Sequence, residues 1–387
     1  MAEVQGACDE RFEAVREVLG GALDAGDDLG ASVAMTIDAE PVVDLWGGWA
    51  DEAEETPWRE DTVTNVWSTT KTMTSLAALV LVERGELDVY APVARYWPEF
   101  GTNGKEGVEV RHLMSHTSGV SAWEQPVEIE DLFDWERSTS MLAAQAPWWE
   151  PGTASGYHAL NQGHLVGEVI RRITGTPLRT FFADEIARPL GADFQIGLDP
   201  ADAERVSNVV PPPPIAFDLD ALGPDSVAVK TLTGPLVDAS VAWSDGWRGA
   251  DIGAANGHGN ARSVARIQSV VANGGEVDGV RLLSPKTIDL IFDEQSNGVD
   301  LVIGLPLRFG IGYALPQQVA LPYIPEGRIC FWGGWGGSMV VVDLDRRMTI
   351  AYMMNKMQAG IIGNTTAASL ITAVYGALGV AGPVPAI

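Results

Sequence analysis

The sequence predicts an α/β protein of the α+β type, in which helices flank a mainly antiparallel sheet and a helical lobe is inserted. Paired strand-like runs stand near both chain ends, and helical patterns with long Pro- and Gly-rich loops separate them. The chain of 387 residues also exceeds the usual length of one domain. We therefore expect an α/β domain built from residues 1–90 and 300–387 and a mainly helical inserted domain at 91–299. A site belongs in the cleft between them.

The amino-terminal part predicts a helix, a hairpin and a second helix. Residues 12–24 place apolar side chains at helical spacing, which indicates an amphipathic helix. Residues 32–38 and 41–49 are rich in β-branched and aromatic side chains, and the sequence DAEP where they meet favours a turn. Residues 69–84 predict a largely buried helix that Gly85 can cap.

The carboxyl-terminal part predicts a second hairpin and a closing helix. Residues 328–343 and 348–355 are strand-like and flank the sequence LDRR, which favours a turn, and residues 365–378 predict a buried helix. Between the two chain ends, the Pro run at 211–214 excludes both helix and central strand. We expect a loop there, either a plain surface connection or a rigid cover over the cleft.

Charge and composition exclude several classes of partner. Asp and Glu outnumber Lys and Arg by 52 to 25, giving a formal charge of −27, so nucleic acid is not an expected partner. The first residues lack the apolar core of a signal peptide, and no run resembles a membrane span. Two cysteines are too few for a disulfide framework. We expect a cytoplasmic protein with no membrane partner, and the oligomeric state stays open.

A serine and a lysine three residues apart form the first catalytic candidate. Ser68 and Lys71 match the S-x-x-K pattern at the start of the helix predicted at 69–84, where this spacing sets an ammonium beside a hydroxyl. The helix start adds a positive dipole end and a free backbone N–H for a developing oxyanion. The bare motif also fits an ordinary capped helix with a surface lysine, so its context decides.

Three successive blocks provide that context. They are VWSTTKTMTS at 66–75, LVERGELDVYAPV at 81–93 and HLMSHTSG at 112–119. Their order and spacing resemble the serine β-lactamase and penicillin-binding-protein superfamily, in its class C-like branch. From about residue 10 to 378 the chain is most similar to the family VIII carboxylesterases. The resemblance implies the serine β-lactamase/DD-peptidase-like fold and a serine hydrolase that needs no metal or organic cofactor.

The resemblance also implies the roles of individual residues. Ser68 would be the acylated nucleophile and Lys71 its neighbour. Tyr157 would be the third catalytic group, acting as a base if the Lys71 cation favours the phenolate. The backbone N–H groups of Ser68 and Trp335 would form the oxyanion hole.

Two positions depart from the superfamily pattern. Ala159 stands where the usual Tyr-x-Asn motif has its Asn, so one amide that orients a substrate amide is absent. Trp332 opens the segment Trp332-Gly333-Gly334, where penicillin-recognising relatives have a cation that holds a substrate carboxylate. By its likeness to some family VIII esterases this segment would contact substrate, and its glycines let the backbone approach closely. A neutral acyl ester therefore fits better than a β-lactam.

Histidines supply weaker candidates. His158 adjoins the proposed base and His258 lies in a Gly-rich turn, so both are candidates for substrate contact, although the sequence favours a structural role for each. His112 and His116 are four residues apart, but no Glu follows the first, so the zincin pattern is unmet and we expect no metal site. No G-x-S-x-G pentapeptide occurs, which excludes an α/β-hydrolase triad.

These observations together predict a serine carboxylesterase that hydrolyses short-chain acyl esters of small molecules through an acyl-enzyme on Ser68. Within the same superfamily, the alternatives are a β-lactamase or D-amino-peptide hydrolase and an acyltransferase. An alternative of a different class is a catalytically silent binding protein that keeps the fold.

Overall fold

The structure is a computed structural model that describes residues 3–213 and 222–380. Its strands are β1 (Val4–Cys8), β2 (Gly30–Ile37), β3 (Glu40–Gly48), β4 (Val63–Asn65), β5 (Phe194–Ile196), β6 (Val206–Ser207), β7 (Gly257–Gly259), β8 (Glu276–Val277), β9 (Val280–Arg281), β10 (Ser296–Val299), β11 (Pro306–Phe309), β12 (Ile329–Gly333), β13 (Met339–Asp343) and β14 (Met348–Met354). Its α-helices are α1 (Glu13–Ala25), α2 (Thr70–Glu83), α3 (Val110–Met114), α4 (Trp135–Ala144), α5 (Gln162–Thr174), α6 (Leu178–Phe182), α7 (Val227–Leu232), α8 (Asp245–Gly249), α9 (Ala261–Ala272), α10 (Pro285–Asp289) and α11 (Thr365–Ala377).

A six-stranded antiparallel sheet receives strands from both chain ends. Its order is β1-β3-β2-β14-β13-β12, and the pairing of β2 with β14 joins the two ends. The hairpins predicted near the ends are β2–β3 and β13–β14, and both are confirmed. Helices on the sheet complete the predicted α/β fold class, which is therefore also confirmed.

The strand-like run at 328–343 is two strands rather than one. β12 pairs antiparallel with β13, and the chain reverses between them at residues 334–338. Gly336 and Gly337 adopt φ angles of 87° and 142°, a region that side chains disfavour. The glycines that the sequence places here therefore make a turn inside what was predicted as one continuous strand.

The edge strand β1 was not predicted. It pairs antiparallel with β3 from Val4 opposite Gly47 to Cys8 opposite Val43, and its middle residues are exposed. With little apolar surface to bury, the segment lacks the alternation that marks a half-buried strand.

The packing of two helices cuts across the predicted domain division. α2 packs against α5 and α6, whereas α9, from the segment predicted as inserted, packs on β2, β13 and β14. The boundaries at 90 and 300 remain a prediction, and residues 1–2, 214–221 and 381–387 lie outside the described part of the chain.

Two apolar clusters meet at the start of α2. One is built mainly from the helices and includes Val66, and the other lies mainly on the sheet and includes Trp67, Tyr157 and Trp332. Ser68 follows Trp67, so the predicted nucleophile lies where the two clusters join. Among the described helices, none has the length and apolarity that a bilayer crossing requires.

Candidate active site

Ser68 lies in a tight helical turn, Trp67–Thr69, immediately before α2. Trp67 adopts a φ of 47°, which is uncommon for a bulky side chain and turns the chain sharply before the serine. The Thr70 hydroxyl fixes this geometry, because it donates to the Trp67 carbonyl at 2.6 Å and accepts the Gly257 backbone N–H at 2.9 Å. The serine is therefore held by backbone and hydroxyl contacts at the start of a buried helix.

Lys71 lies one helical turn further on and reaches back to the serine. Its Nζ donates to Ser68 Oγ at 2.9 Å and to the carbonyls of Ala159 and Ala254 at 2.7 and 3.0 Å. None of these partners is a carboxylate, and burial lowers the pKa of Lys71 well below its ordinary value. When the amine is neutral, the two carbonyls can take its two N–H groups, which leaves its lone pair for the Ser68 hydroxyl.

Tyr157 is brought to the same point from a distant loop. Its side chain is buried, and Trp332 Nε1 donates to its hydroxyl at 3.2 Å. Burial raises the pKa of Tyr157, and hydrogen bonds to Ser68 and Trp332 only partly oppose that shift. Lys71 Nζ lies 4.7 Å from the centroid of the phenol ring, over its face. Burial of the phenol thus raises the Tyr157 pKa, where the sequence led us to expect a lowering by Lys71.

The turn after β12 approaches the nucleophile closely at Gly334. A Cβ at this position would lie 2.3 Å from both the Val66 carbonyl oxygen and Ser338 Oγ, so only glycine fits. Ser338 Oγ donates to that carbonyl at 2.8 Å and shares a 2.9 Å hydrogen bond with Thr69 Oγ1. Ser338 therefore ties this turn to the segment around Ser68.

A cavity of about 480 Å³ opens beside Ser68. Its wall includes Trp67, Tyr157 and Trp335, the prolines 211–213 and the segment 235–239. Among the described residues that line it, Asp238 is the one charged side chain and no cation is present. The prolines at 211–213 therefore border this cavity. Pro214, the last residue of the run, lies outside the described residues.

The turn that carries Trp335 is held by backbone hydrogen bonds on both sides of that residue. The N–H groups of Gly334 and Gly336 donate to the carbonyls of Ser338 and Gly360 at 2.8 and 3.0 Å. The oxyanion hole expected from the N–H groups of Ser68 and Trp335 stays a prediction.

A family model and several known proteins match this chain over most of its length. Residues 15–370 match the family model for Beta-lactamase. The chain belongs to the β-lactamase family.

Relatives of this β-lactamase family chain include esterases. It is 34% identical to the Esterase/beta-lactamase LipL of Mycobacterium tuberculosis, over 93% of this chain and 84% of that protein. A crystal structure of a family VIII carboxylesterase superposes with a TM-score of 0.90 at 39% identity, covering 97% of this chain and all of the other. A penicillin-binding protein homologue from Caulobacter crescentus has the same TM-score at 34% identity, over 97% of this chain and 100% of that one. This member of the family is a serine hydrolase.

The described cavity wall of this β-lactamase family member includes none of the predicted substrate residues, which are Trp332, Gly333, Gly334, His158 and His258. Trp335, which was predicted as an oxyanion donor, lines the cavity. Trp332 instead contacts Tyr157, because its indole N–H donates to the Tyr157 hydroxyl. Gly334 forms the close approach to the nucleophile turn, whereas a Cβ at Gly333 would meet the Ser338 carbonyl oxygen instead. Ala159 is in the cavity wall, and its carbonyl accepts from Lys71.

His158 and His258 do not reach the cavity. His158 is fully buried, with Nε2 2.6 Å from Ser118 Oγ and Nδ1 2.6 Å from the Gly156 carbonyl. His258 lies in β7, with Nδ1 2.9 Å from the carbonyls of Gly197 and Asn256. Burial lowers their pKa values to about 3 and about 4. Their contacts fit the structural alternative rather than contact with substrate.

His112 and His116 also have structural contacts. His112 Nδ1 accepts the Glu109 backbone N–H at 3.1 Å and caps α3, and His116 Nδ1 accepts the His158 N–H at 3.1 Å. The described residues contain no group of three His, Cys, Asp or Glu side chains placed to hold a metal.

Asp300 is the supporting residue that sequence reasoning missed. Its buried Oδ1 accepts the backbone N–H groups of Tyr157, Val302 and Ile303 at 3.1, 2.9 and 3.0 Å. Asp300 therefore joins two loops. One contains Tyr157, the third catalytic candidate, and the other contains Val302 of the cavity wall. No motif marks Asp300 in the sequence.

Proposed function

We propose that the protein is a carboxylesterase that hydrolyses short-chain acyl esters through an acyl-enzyme on Ser68. One observation carries the proposal: Ser68 Oγ, 2.9 Å from Lys71 Nζ, opens into an apolar cavity whose described wall holds no cation. An uncharged acyl group fits such a wall, and an activated serine can accept it.

Acylation begins with transfer of the serine proton. Because burial lowers the pKa of Lys71, its neutral amine is the better acceptor, while the raised pKa of Tyr157 keeps the phenol protonated. Ser68 Oγ bonds to the ester carbonyl carbon as its proton passes to Lys71 Nζ. The backbone N–H groups of Ser68 and Trp335 hold the resulting oxyanion.

Loss of the alcohol completes the first half of the reaction. The bond between the carbonyl carbon and the alcohol oxygen breaks, and the Tyr157 hydroxyl, hydrogen-bonded to Ser68, protonates the leaving oxygen. The Lys71 ammonium then returns a proton to Tyr157. Water attacks the acyl-enzyme by the reverse sequence, and Ser68 regains its proton as the acid leaves.

The residues at Trp332 and Ala159 support an ester rather than a β-lactam as the substrate. Trp332 occupies the position of the carboxylate-binding cation, and its buried indole is committed to Tyr157. Ala159 supplies no side-chain amide for a substrate amide. The names of the similar proteins, a family VIII carboxylesterase and an esterase/β-lactamase, support the same assignment and keep β-lactam hydrolysis as the second candidate.

Two chromogenic substrates test the proposal side by side. Initial rates with p-nitrophenyl butyrate and nitrocefin are compared for the wild type, Ser68→Ala and Ser140→Ala, a matched change on the exposed face of α4. We expect ester turnover that Ser68→Ala abolishes and Ser140→Ala retains, with little nitrocefin cleavage. Dominant nitrocefin turnover would favour the lactamase alternative. No turnover of either substrate would favour an acyltransferase or a silent member.

A further inference from the structure

We infer that the cavity prefers esters that carry a positive charge a few bonds from the scissile carbonyl, and that Asp238 sets this preference. The inference rests on the proposed function, because it concerns which esters the same cavity accepts.

Asp238 is the only charged side chain among the described residues of the wall. It caps the short helical turn Ala239–Trp243, where its Oδ1 accepts the Ser240 N–H at 2.8 Å and the Ser240 hydroxyl at 2.5 Å. These bonds lower the pKa of Asp238, so the carboxylate is ionised at neutral pH. Asp238 is exposed, and it therefore adds one ionised carboxylate to a described wall that is otherwise uncharged.

The described wall contains no Lys or Arg that would compensate this charge. Burial favours the neutral amine of Lys71. Lys230 adjoins Thr231 of the wall, but its Nζ lies 5.6 Å from the ring centroid of Trp148, which is not among the wall residues.

The net charge of the whole protein has the same negative sign as Asp238. A cleft with low-dielectric walls focuses the field of its charges, and the chain carries a net charge of −27. The aromatic side chains of Trp67, Tyr157 and Trp335 in the same wall add surfaces that quaternary ammonium groups favour. A trimethylammonium group thus meets attraction where a carboxylate meets repulsion.

Two pairs of esters, each matched in shape, test the inference. Butyrylcholine is compared with 3,3-dimethylbutyl butyrate for a cationic alcohol part. The p-nitrophenyl esters of 4-(trimethylammonio)butyrate and 5,5-dimethylhexanoate are compared for a cationic acyl part. In at least one pair we expect kcat/KM at low salt to be about fivefold higher for the cation, and the ratio to shrink as salt is added.

Two asparagine variants locate the effect. Asp238→Asn keeps a side-chain oxygen for the helix cap but removes the charge, so the ratio should fall towards one. Asp199→Asn makes the same change at another exposed cap outside the cavity wall, and the ratio should persist. Ratios near one for both pairs in the wild type, or a ratio that Asp238→Asn leaves intact, would overturn the inference. If the neutral esters are not hydrolysed either, the proposed function fails instead.

Discussion

Tyr157 is fixed at its hydroxyl and at its backbone by different partners. Trp332 donates to the hydroxyl at 3.2 Å, and Asp300 accepts the backbone N–H at 3.1 Å. The ring of His116 packs edge-on at 4.9 Å between centroids. We therefore propose that Trp332 orients the Tyr157 hydroxyl, which in the proposed mechanism protonates the leaving alcohol.

Replacing Trp332 by Phe keeps an aromatic ring and removes the indole N–H. We expect kcat to fall about tenfold with KM nearly unchanged, because a single hydrogen bond that positions Tyr157 is lost. Steady-state kinetics with p-nitrophenyl butyrate measure the effect. Trp243→Phe, at an exposed indole that donates to the Val209 carbonyl, is the control. An unchanged kcat in Trp332→Phe would show that this bond does not position the catalytic tyrosine.

The burial of Lys71 predicts how activity depends on pH. In the proposed mechanism the neutral amine is the active form, so kcat/KM should fall as pH decreases through the lowered Lys71 pKa and stay level above it. Lys71→Arg cannot lose its charge and should be at least about 100-fold less active at every pH. Rates measured over the pH range where the protein stays folded check both points. Substantial activity in Lys71→Arg would exclude the lysine as the base.

The three catalytic candidates could be predicted from sequence because each lies in a local motif. Ser68 and Lys71 share a helix, and Tyr157 has recognisable flanking residues. The residues that support them could not be predicted. Asp300 meets Tyr157 across 143 residues and Ser338 meets Thr69 across 269, and no short pattern encodes such contacts.

At the scale of elements, the turn between β12 and β13 is the part of the fold on which the site depends most. Gly334→Ala would place a methyl group 2.3 Å from the Val66 carbonyl and Ser338 Oγ, so the turn must move away from the nucleophile. We expect a loss of about 100-fold in kcat, since displacement of Trp335 removes an oxyanion donor. Gly298→Ala, at an open position in β10, should leave the rate unchanged. Equal rates for both variants would contradict this account of the turn.

The sequence predicted the long elements better than the short ones. Helix α1 follows from a periodic apolar pattern, and the hairpin β2–β3 and the buried helices α2 and α11 follow from long runs of suitable residues. The small sheet β5-β7-β4-β6 consists of strands of two or three residues, too short for any period to be visible. β7 pairs with β4 and so places His258 in this sheet, away from the cavity. Tertiary contacts outweighed the local pattern there.

At the scale of the whole molecule, buried histidines predict instability in mild acid. Burial lowers the pKa of all five histidines, to about 3 in His158 and about 4 in His164 and His258. The unfolded chain takes up these protons first, so stability is lost as pH falls below about 6.5. Asp28 and Asp251, with pKa values raised to about 6, act in the opposite sense but are fewer.

We therefore expect the free energy of unfolding to drop by about 2 kcal/mol or more from pH 7 to pH 5. Urea unfolding at the two pH values measures it. His164→Gln keeps a donor for the Leu132 carbonyl and should reduce the difference. Equal stability at the two pH values would mean that the histidines are not neutral in the folded protein.

The most direct test of the central claim is to find the acyl group on the enzyme. The protein is mixed with p-nitrophenyl butyrate and quenched in acid within the first turnovers, and its intact mass and peptide masses are measured. We predict the mass of one added butyryl group, mapped to the peptide that contains Ser68 and missing from Ser68→Ala. A butyryl group on another residue, or turnover that Ser68→Ala retains, would contradict the account.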